Sequence, residues 1–597
     1  MDETSENYVA DIHNAGYESE YTKTMLDHRR LITIAGRESE SLNGKWFFHA
    51  DPYDTCRRAK WFKEIRHDGN GAEQPVDWDF DAWERISVPD TWNIRERELF
   101  YFEGSGIYVR DFCYVPKETG ERPFLCFEGA SYETSVFLNG IFAGTHDGGS
   151  TPFTVDIGDL VKANRQNRLL VVVDARRSRF RIPMDNTDWF NYGGLYRGVY
   201  LIRTPKDYIK DWFLRLVPDG TFSKIRLDCG VSGRGKILLE IPELGVRQEA
   251  AIAADGSCVF SPGPGKLILW SPDNPKLYDV SLSFHSEGGG TDRVTDRVGF
   301  REIRAKGQHI LLNGKKIFLK GISVHEDHYL LGKTTNPEIV RATIRDLKEM
   351  NGNYLRLAHY PHDRCFARIA DEEGVLLWEE IPVYWAVAFH HQNTYRDAEN
   401  QLCELILRDR NRASVIIWSV GNENADTKDR LVFMSNLVQK ARTLDETRLV
   451  SAACLVNTTK LKIEDPLSAF LDVTGVNEYY GWYERDFGKL SAILANSDPE
   501  KPVIITEFGG GARSGQRGTA DDLFSEDCQK ALYQKQVEMF KQYPFIAGLS
   551  PWILYDFRCP RRFNRYQEGY NRKGLIDADR KTKKAAFYVM QAFYRER

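Results

Sequence analysis

The sequence predicts a multidomain chain that joins two β-sandwiches to a (β/α)8 barrel. Short apolar or alternating runs punctuated by Gly, Asn, Asp and Pro fill the first 300 or so residues, the pattern of strands and turns. Beyond Val298–Arg304 ("VGFREIR") apolar strands alternate with amphipathic helical periods, the mark of βα units around a parallel sheet. Eight such strands can be read, which fits a closed barrel better than a doubly wound sheet. The chain has 597 residues, more than one core holds, so several domains are required.

The runs "KWFFHA", "GIYVRDFCYV", "RPFLCFEGA", "TSVFLNGIFAG" and "NRLLVVVDA" predict a jelly roll or sandwich over residues 25–205. Within it, Asn139-Gly140 between two apolar segments is the strongest short-range hairpin signal. A second set, "WFLRLVP", "KIRLDCGV", "KILLEI" and "LYDVSLSFH", is broken by "SPGPGK" and "SPDNPK". It predicts a smaller immunoglobulin-like sandwich over 206–300. Residues 1–24 read as an extension, and 301–597 as the barrel.

The barrel opens with "KIFLKGISVH", followed by "TTNPEIVRATIRDLKEMN". There Asn336 is placed to cap a helix, Pro337 to take its first position, and Glu338 to face the positive end of the dipole. Val340, Ile344 and Leu347 fall at helical spacing. The further strands are "GNYLRLAHY", "VLLWEEI", "SVIIWSVGNE", "RLVSAACLV", "FLDVTGVNEYY", "KPVIITEFG" and "IAGLSPWILYDF".

Composition excludes several classes. A net charge of −5 without a basic run argues against nucleic acid, and no apolar run reaches membrane-spanning length. The ten cysteines form no CxxC pair or Cys/His cluster, so neither a structural zinc site nor any cofactor is implied, and reduced thiols are expected. The opening "MDETSENYVADIHNAGYESEY" is acidic and has no apolar signal-peptide core, so a cytoplasmic location is expected.

Barrel active sites lie at the C-terminal strand ends. Strand one ends at His325, Glu326 and Asp327, strand two at His359, strand four at Asn422 and Glu423, and strand seven at Thr506 and Glu507. A carboxylate ending an apolar run is costly unless it has partners or chemistry to do. Glycosidic bonds are cleaved by one carboxylic acid that protonates the leaving oxygen and a second carboxylate that acts on the anomeric carbon. Glu423 and Glu507, on strands that face each other across a barrel mouth, fit that division; Glu379, Glu380 and Glu478 also lie near strand ends and compete on pattern alone.

With those residues in view, nearly the whole chain resembles glycoside hydrolase family 2, and within it the β-glucuronidases. The resemblance covers a sugar-binding jelly roll ("LNGKWFF", "VPDTWN", "GIYVRDF"), the immunoglobulin-like sandwich and the barrel. "WSVGNEN" resembles the acid/base signature, which implies Glu423 as acid/base and Asn422 as a binder of the sugar 2-hydroxyl. "IITEFG" resembles the nucleophile signature, which implies Glu507. "VNEYYGWY" implies that Tyr479 and Tyr483 place hydroxyls around the nucleophile. "GYNRKG" resembles the Asn-x-Lys pair used on a glucuronate carboxylate, implying Asn571 and Lys573. Asp188 matches an acid reaching from the jelly roll into the sugar pocket, and His359 and Trp552 match pocket walls.

The resemblance thus implies a retaining exo-β-glucuronidase acting on a small-molecule or oligosaccharide glucuronide, with a homo-oligomer as the common assembly. Gln567 stands where some members carry an arginine, and Arg561, Arg562 and Arg565 are candidates to replace it. The short "PVYWAVAFHHQNTYRDAENQ" resembles the no-loop type found among gut-bacterial members. β-Galacturonidase or another β-glycosidase on the same scaffold is the nearer alternative, and a non-catalytic carbohydrate-binding protein the remoter one.

Overall fold

The computed structural model describes residues 25–63, 66–67, 73–74 and 82–597; the acidic stretch 1–24 lies outside them. The chain forms two compact units. One comprises residues up to Arg176 with Asn191–Tyr208 and Ser286–Asp292, the other Arg177–Phe190, Ile209–His285 and Arg293–Arg597.

The first unit is a jelly-roll sandwich. A six-stranded antiparallel sheet runs, in spatial order, Glu84–Val88, Gly44–Asp51, Ser105–Tyr114, Arg165–Asp174, Glu133–Leu138 and Ile141–His146. It faces a four-stranded sheet of Ser39–Ser41, Val199–Thr204, Arg122–Phe127 and Phe153–Asp156. Aromatic side chains fill the core between them, where Trp46, Phe48, Trp92, Tyr108, Phe127 and Phe153 are buried. Asn139-Gly140 makes the two-residue turn of the last hairpin, both residues at positive φ, and Leu138 pairs with Ile141 across it.

Apart from residues 286–292, the smaller sandwich belongs to the second unit, with sheets of three strands (Ile209–Leu216, Ile225–Val231, Ser257–Phe260) and four (Val246–Ala251, Gly235–Ile241, Tyr278–Ser286, Thr291–Val298). A closed parallel barrel follows. Its strands are β1 Leu319–Val324, β2 Tyr354–Leu357, β3 Leu376–Glu380, β4 Val415–Asn422, β5 Leu449–Cys454, β6 Thr474–Asn477, β7 Val503–Glu507 and β8 Ile546–Leu549. Almost every strand residue is buried, because helices cover the sheet's outer face and side chains fill its lumen. The covering helices are α1 Pro337–Glu349, α2 Arg364–Glu373, α3 Gln392–Asp409, α4 Lys428–Leu444, α5 Phe487–Asn496, α6 Glu526–Phe540 and α7 Ala585–Glu596. A single 3-10 turn, Pro466–Ala469, takes the place after β5. Among the described residues no helix is long and apolar enough to cross a membrane.

Arg177–Phe190 departs from a simple reading of the chain as consecutive modules. This strap belongs to the barrel's unit, although sandwich strands of the first unit flank it on both sides. Ile182 is fully buried in the barrel's core. The backbone N–H of Ile182 donates to Asp397 Oδ2 at 2.9 Å, and its carbonyl accepts from Gln401 Nε2 at 2.7 Å. Thr394 Oγ1 donates to the Phe180 carbonyl at 2.7 Å.

The first βα unit forms as its residues dictate. Asn336 is extended and its side chain accepts from the Ile339 N–H at 3.0 Å, Pro337 occupies the first turn, and Val340, Ile344 and Leu347 are buried. Asn336→Ala should therefore cost about 0.5–2 kcal/mol of stability, read as a lower urea midpoint at unchanged slope.

Candidate active site

The C-terminal mouth of the barrel holds a cavity of about 570 Å³ lined by the last residue of β7 and by residues of the segments that follow several strands. Glu423 and Glu507 both line it, together with Asp188, His359, Tyr479, Tyr483, Trp552 and Lys573. Two acids remote in sequence therefore share one hollow because the barrel closes. Their surroundings differ, and the difference is built residue by residue.

Glu507 ends β7. Its Oε1 accepts from Arg356 Nη1 at 2.7 Å and its Oε2 from the Tyr479 hydroxyl at 2.7 Å. Burial pushes the carboxyl up to about 7; Arg356 and Tyr479 oppose that rise, and the charge of Glu423 adds to it. Arg356 lies within β2, fully buried. The same guanidinium donates to Glu380 Oε1 at 3.0 Å and to Asn422 Oδ1 at 2.7 Å. Trp378 Nε1 donates to the other Glu380 oxygen at 2.7 Å. Burial lifts Glu380 above the ordinary carboxylate range, with Arg356 and Trp378 pulling it down.

His359 stands between these acids, Nδ1 2.8 Å from Glu380 Oε1 and Nε2 3.8 Å from Glu507 Oε1, with its ring stacked on Trp552. Burial and then Arg356 push its pKa well below the usual value, so the imidazole is neutral. The carboxylate opposite Nδ1 assigns the proton to that nitrogen.

Glu423 follows β4 in the tail "GNEN", and each residue of that tail has a task. Gly421 has no room for a side chain, since a Cβ there would lie 2.5 Å from Asn424 Oδ1 and 2.6 Å from Met434 Cε. The Asn422 carbonyl oxygen Oδ1 accepts from Arg356 and, at 3.2 Å, from Asn477, leaving its Nδ2 donor without a partner among the described residues. Glu423 turns into the left-handed region at φ 52°, a conformation that costs a non-glycine residue about 1–3 kcal/mol and persists only where its surroundings impose it. Its Oε1 accepts from Asn477 Nδ2 at 2.8 Å and its Oε2 from Trp385 Nε1 at 2.7 Å. Asn424 closes the tail by donating to the carbonyls of Val383 and Trp385 at 3.2 and 2.9 Å.

The far end of the cavity comes from the loop after β8. Lys573 is 3% exposed; its ammonium donates to the Tyr483 hydroxyl at 2.7 Å, and among the described residues no carboxylate lies within ion-pair reach of it. Burial raises the Tyr483 phenol, but Lys573 and Arg562 outweigh it and leave it below its ordinary value. Asp188, carried by the strap, is engaged by Arg562 (Nε to Oδ1, 3.0 Å; Nη2 to Oδ2, 2.5 Å), by Cys559 Sγ at 3.2 Å and by Asn571 Nδ2 at 3.2 Å.

All ten residues singled out in the sequence thus lie in or against one site, but in two layers. Asp188, His359, Glu423, Tyr479, Tyr483, Glu507, Trp552 and Lys573 line the cavity. Asn422 and Asn571 stand behind it, on Arg356 and on Asp188. Tyr483 serves the lysine while Tyr479 serves Glu507. Of the competing acids, Glu380 belongs to the site as a partner of Arg356. Glu379, one residue before it on β3, faces the opposite way; Asp409 and Arg408 of α3 are the charges that act on it. Glu478 is buried with Oε1 accepting from the Tyr480 N–H at 2.8 Å. Arg565 pairs with the Tyr566 hydroxyl and is exposed, whereas Arg562 and Gln567 line the cavity.

Sequence reasoning missed Arg356, Trp385 and Asn477. Arg356 left a signal: a cation inside the apolar strand "NYLRLAHY" requires partners. Trp385 and Asn477 left none, since each acts only through its contact with Glu423.

Arg356→Met leaves Glu380 and Glu507 buried without their cation, and should cost about 3–5 kcal/mol, measured by urea denaturation. Adding Glu380→Gln should restore part of that loss; no recovery would refute the charge account.

Comparisons with known proteins agree with this geometry. The family profile "Glycosyl hydrolases family 2, TIM barrel domain" matches residues 303–596, "Glycosyl hydrolases family 2, sugar binding domain" matches 39–205, and "Glycosyl hydrolases family 2" matches 208–301. The chain is 28% identical to a β-glucuronidase of Paenibacillus borealis, over 92% of this chain and 96% of that protein. It superposes on a galacturonate-bound β-galacturonidase of Eisenbergiella tayi with a TM-score of 0.82 at 26% identity, covering 95% and 99% of the two chains. A β-glucuronidase of Ruminococcus gnavus in complex with D-glucuronic acid shares the fold, with a TM-score of 0.80 at 24% identity over 95% of this chain and 100% of that one. With all three of its domain profiles matched in order along the sequence, the chain belongs to glycosyl hydrolases family 2 and is a glycoside hydrolase.

Proposed function

We propose that the chain is a retaining exo-β-glucuronidase, with Glu507 as nucleophile and Glu423 as acid/base. The observation that carries the uronide reading is Lys573: a buried ammonium with no carboxylate partner among the described residues, in the same cavity as Glu423 and Glu507. A buried charge demands a counter-charge, and a sugar carboxylate supplies it while the anomeric carbon reaches the acids. A neutral glucoside or galactoside would leave the cation unanswered.

Glu423 protonates the glycosidic oxygen as ionised Glu507 attacks the anomeric carbon, forming a covalent glycosyl-enzyme. Glu423 then takes a proton from water, which releases the sugar with its configuration kept. The two carboxyls are electrostatically coupled. Glu423's charge is among the causes that raise Glu507, so a proton on Glu423 helps Glu507 ionise. Arg356 and Tyr479 hold the two nucleophile oxygens in place, and the unpartnered Asn422 Nδ2 is the available donor for the sugar 2-hydroxyl. The second reading is a β-galacturonidase, supported by the likeness to the Eisenbergiella tayi enzyme. The two readings differ at C4 alone, and paired p-nitrophenyl β-glucuronide and β-galacturonide assays separate them.

Lys573→Ala should lower kcat/KM on the preferred uronide by about 10- to 150-fold, the loss of one charge-assisted contact of about 1.5–3 kcal/mol. The uncharged methyl ester of the same substrate should lose far less. Equal losses would remove the uronide reading.

With Glu507 pushed up to about 7, kcat/KM should fall as pH drops through that value, because only the ionised carboxyl attacks. Glu423→Gln removes one cause of the elevation. With an activated aryl uronide, whose leaving group needs no protonation, the acidic limb should then move to lower pH; an unmoved limb would show that the two carboxyls do not interact.

A further inference from the structure

We propose that Arg562 is the second cation for the substrate's carboxylate in this chain, aimed by Asp188 and working with Lys573 and the Tyr483 hydroxyl; the proposal rests on the uronide reading above. Gln567 stands where some family members have an arginine. It does not fill that role, because its Oε1 accepts from Asn564 Nδ2 at 2.7 Å and its side chain carries no charge.

A guanidinium has five N–H donors in a rigid fork. Arg562 spends Nε and Nη2 on the two oxygens of Asp188. The other edge, Nη1, meets only the Tyr483 hydroxyl at 3.5 Å, too long for a strong hydrogen bond. That hydroxyl also accepts from Lys573 Nζ at 2.7 Å. One phenol oxygen thus marks the point on which both cations converge. It accepts from each, so its own proton is free to be given away. Nη1 of Arg562, two remaining N–H groups of Lys573 and the Tyr483 O–H together form a set of donors that, among the described residues, no acceptor satisfies beyond the long Nη1 contact. A carboxylate accepts only, at two oxygens with about four lone-pair positions, and is the complement of that set.

Asp188 has a different task from a group that reads the sugar directly. Arg562, Cys559 and Asn571 already bond its two oxygens, and Arg561 Nε stands 3.8 Å away, so little of its acceptor capacity remains. It fixes the plane of Arg562. Charge agrees: Arg561, Arg562 and Lys573 outnumber Asp188 on this side of the cavity, so positive charge is left over for a sugar carboxylate.

The test uses the whole chain with p-nitrophenyl β-glucuronide, β-galacturonide and their methyl esters, alongside inhibition by free glucuronate and galacturonate. Arg562→Ala should lower kcat/KM on the preferred acid by about 10- to 150-fold and weaken binding of the free uronate in proportion, with the loss mainly in KM. The methyl ester should change by less than about threefold, and Arg562→Lys should recover part of the activity, since it returns a charge without the fork. Asp188→Asn should reproduce the acid-over-ester loss in weaker form. An acid-to-ester ratio unchanged by Arg562→Ala while Lys573→Ala collapses it would overturn the role of Arg562 and leave the uronide reading standing. A ratio unmoved by both would overturn both. Equal losses by Arg562→Ala on acid and ester would also sink the proposal, since they would show that Arg562 only holds the cavity in shape.

Discussion

The buried guanidinium of Arg356 is the interaction on which the active mouth of the barrel depends. It lies in the lumen, where an isolated charge is prohibitive, and is held by carboxylates of β3 and β7 and by the amide of Asn422 at the end of β4. Four strands are thereby pinned at one height. Burial works against the charge of Arg356, and Glu380 and Glu507 outweigh it and raise its pKa, so it stays a cation. Glu507 in turn keeps one oxygen bonded to a permanent positive charge however the pH changes, which would suit the nucleophile role proposed for it.

Around that hub the acids and the cations of the site come from different parts of the fold. The carboxyl pair comes from strand ends, the most rigid part of the fold, and the left-handed turn at Glu423 is imposed by Asn477, Trp385 and the Asn424 contacts. The cationic end comes from a single stretch after β8. The chemistry common to family 2 sits on the scaffold, while the groups that would read the sugar's charge sit on a loop, where composition can drift without disturbing the barrel.

Much of this was legible in the sequence, for identifiable reasons. The eight barrel strands stood out because parallel strands buried on both faces read as continuous apolar runs. Glu423 and Glu507 stood out because polar residues ending such runs mark the open face of a barrel. Arg356 was hidden by sitting in the middle of a strand, where attention to strand ends passes over it. The commitment of Asn571 to Asp188, and of Tyr483 to Lys573, depends on contacts between segments far apart in the chain, and no local pattern encodes those. The strap was hidden most completely. Its composition is that of a loop between two sandwich strands, and only packing shows that Ile182 belongs to the barrel's core.

That strap bears on how freely the parts of this protein can be exchanged. A gene fragment cut before residue 301 would encode every barrel strand and both acids, and would still leave behind Asp188, the side chain that orients Arg562, and Ile182, which seals a patch of the helical layer at α3. Recombination between relatives that swapped barrels at the linear domain boundary would pair each barrel with another protein's strap. The inherited unit is therefore discontinuous in the gene, and the N-terminal half travels with the catalytic half because it carries part of it.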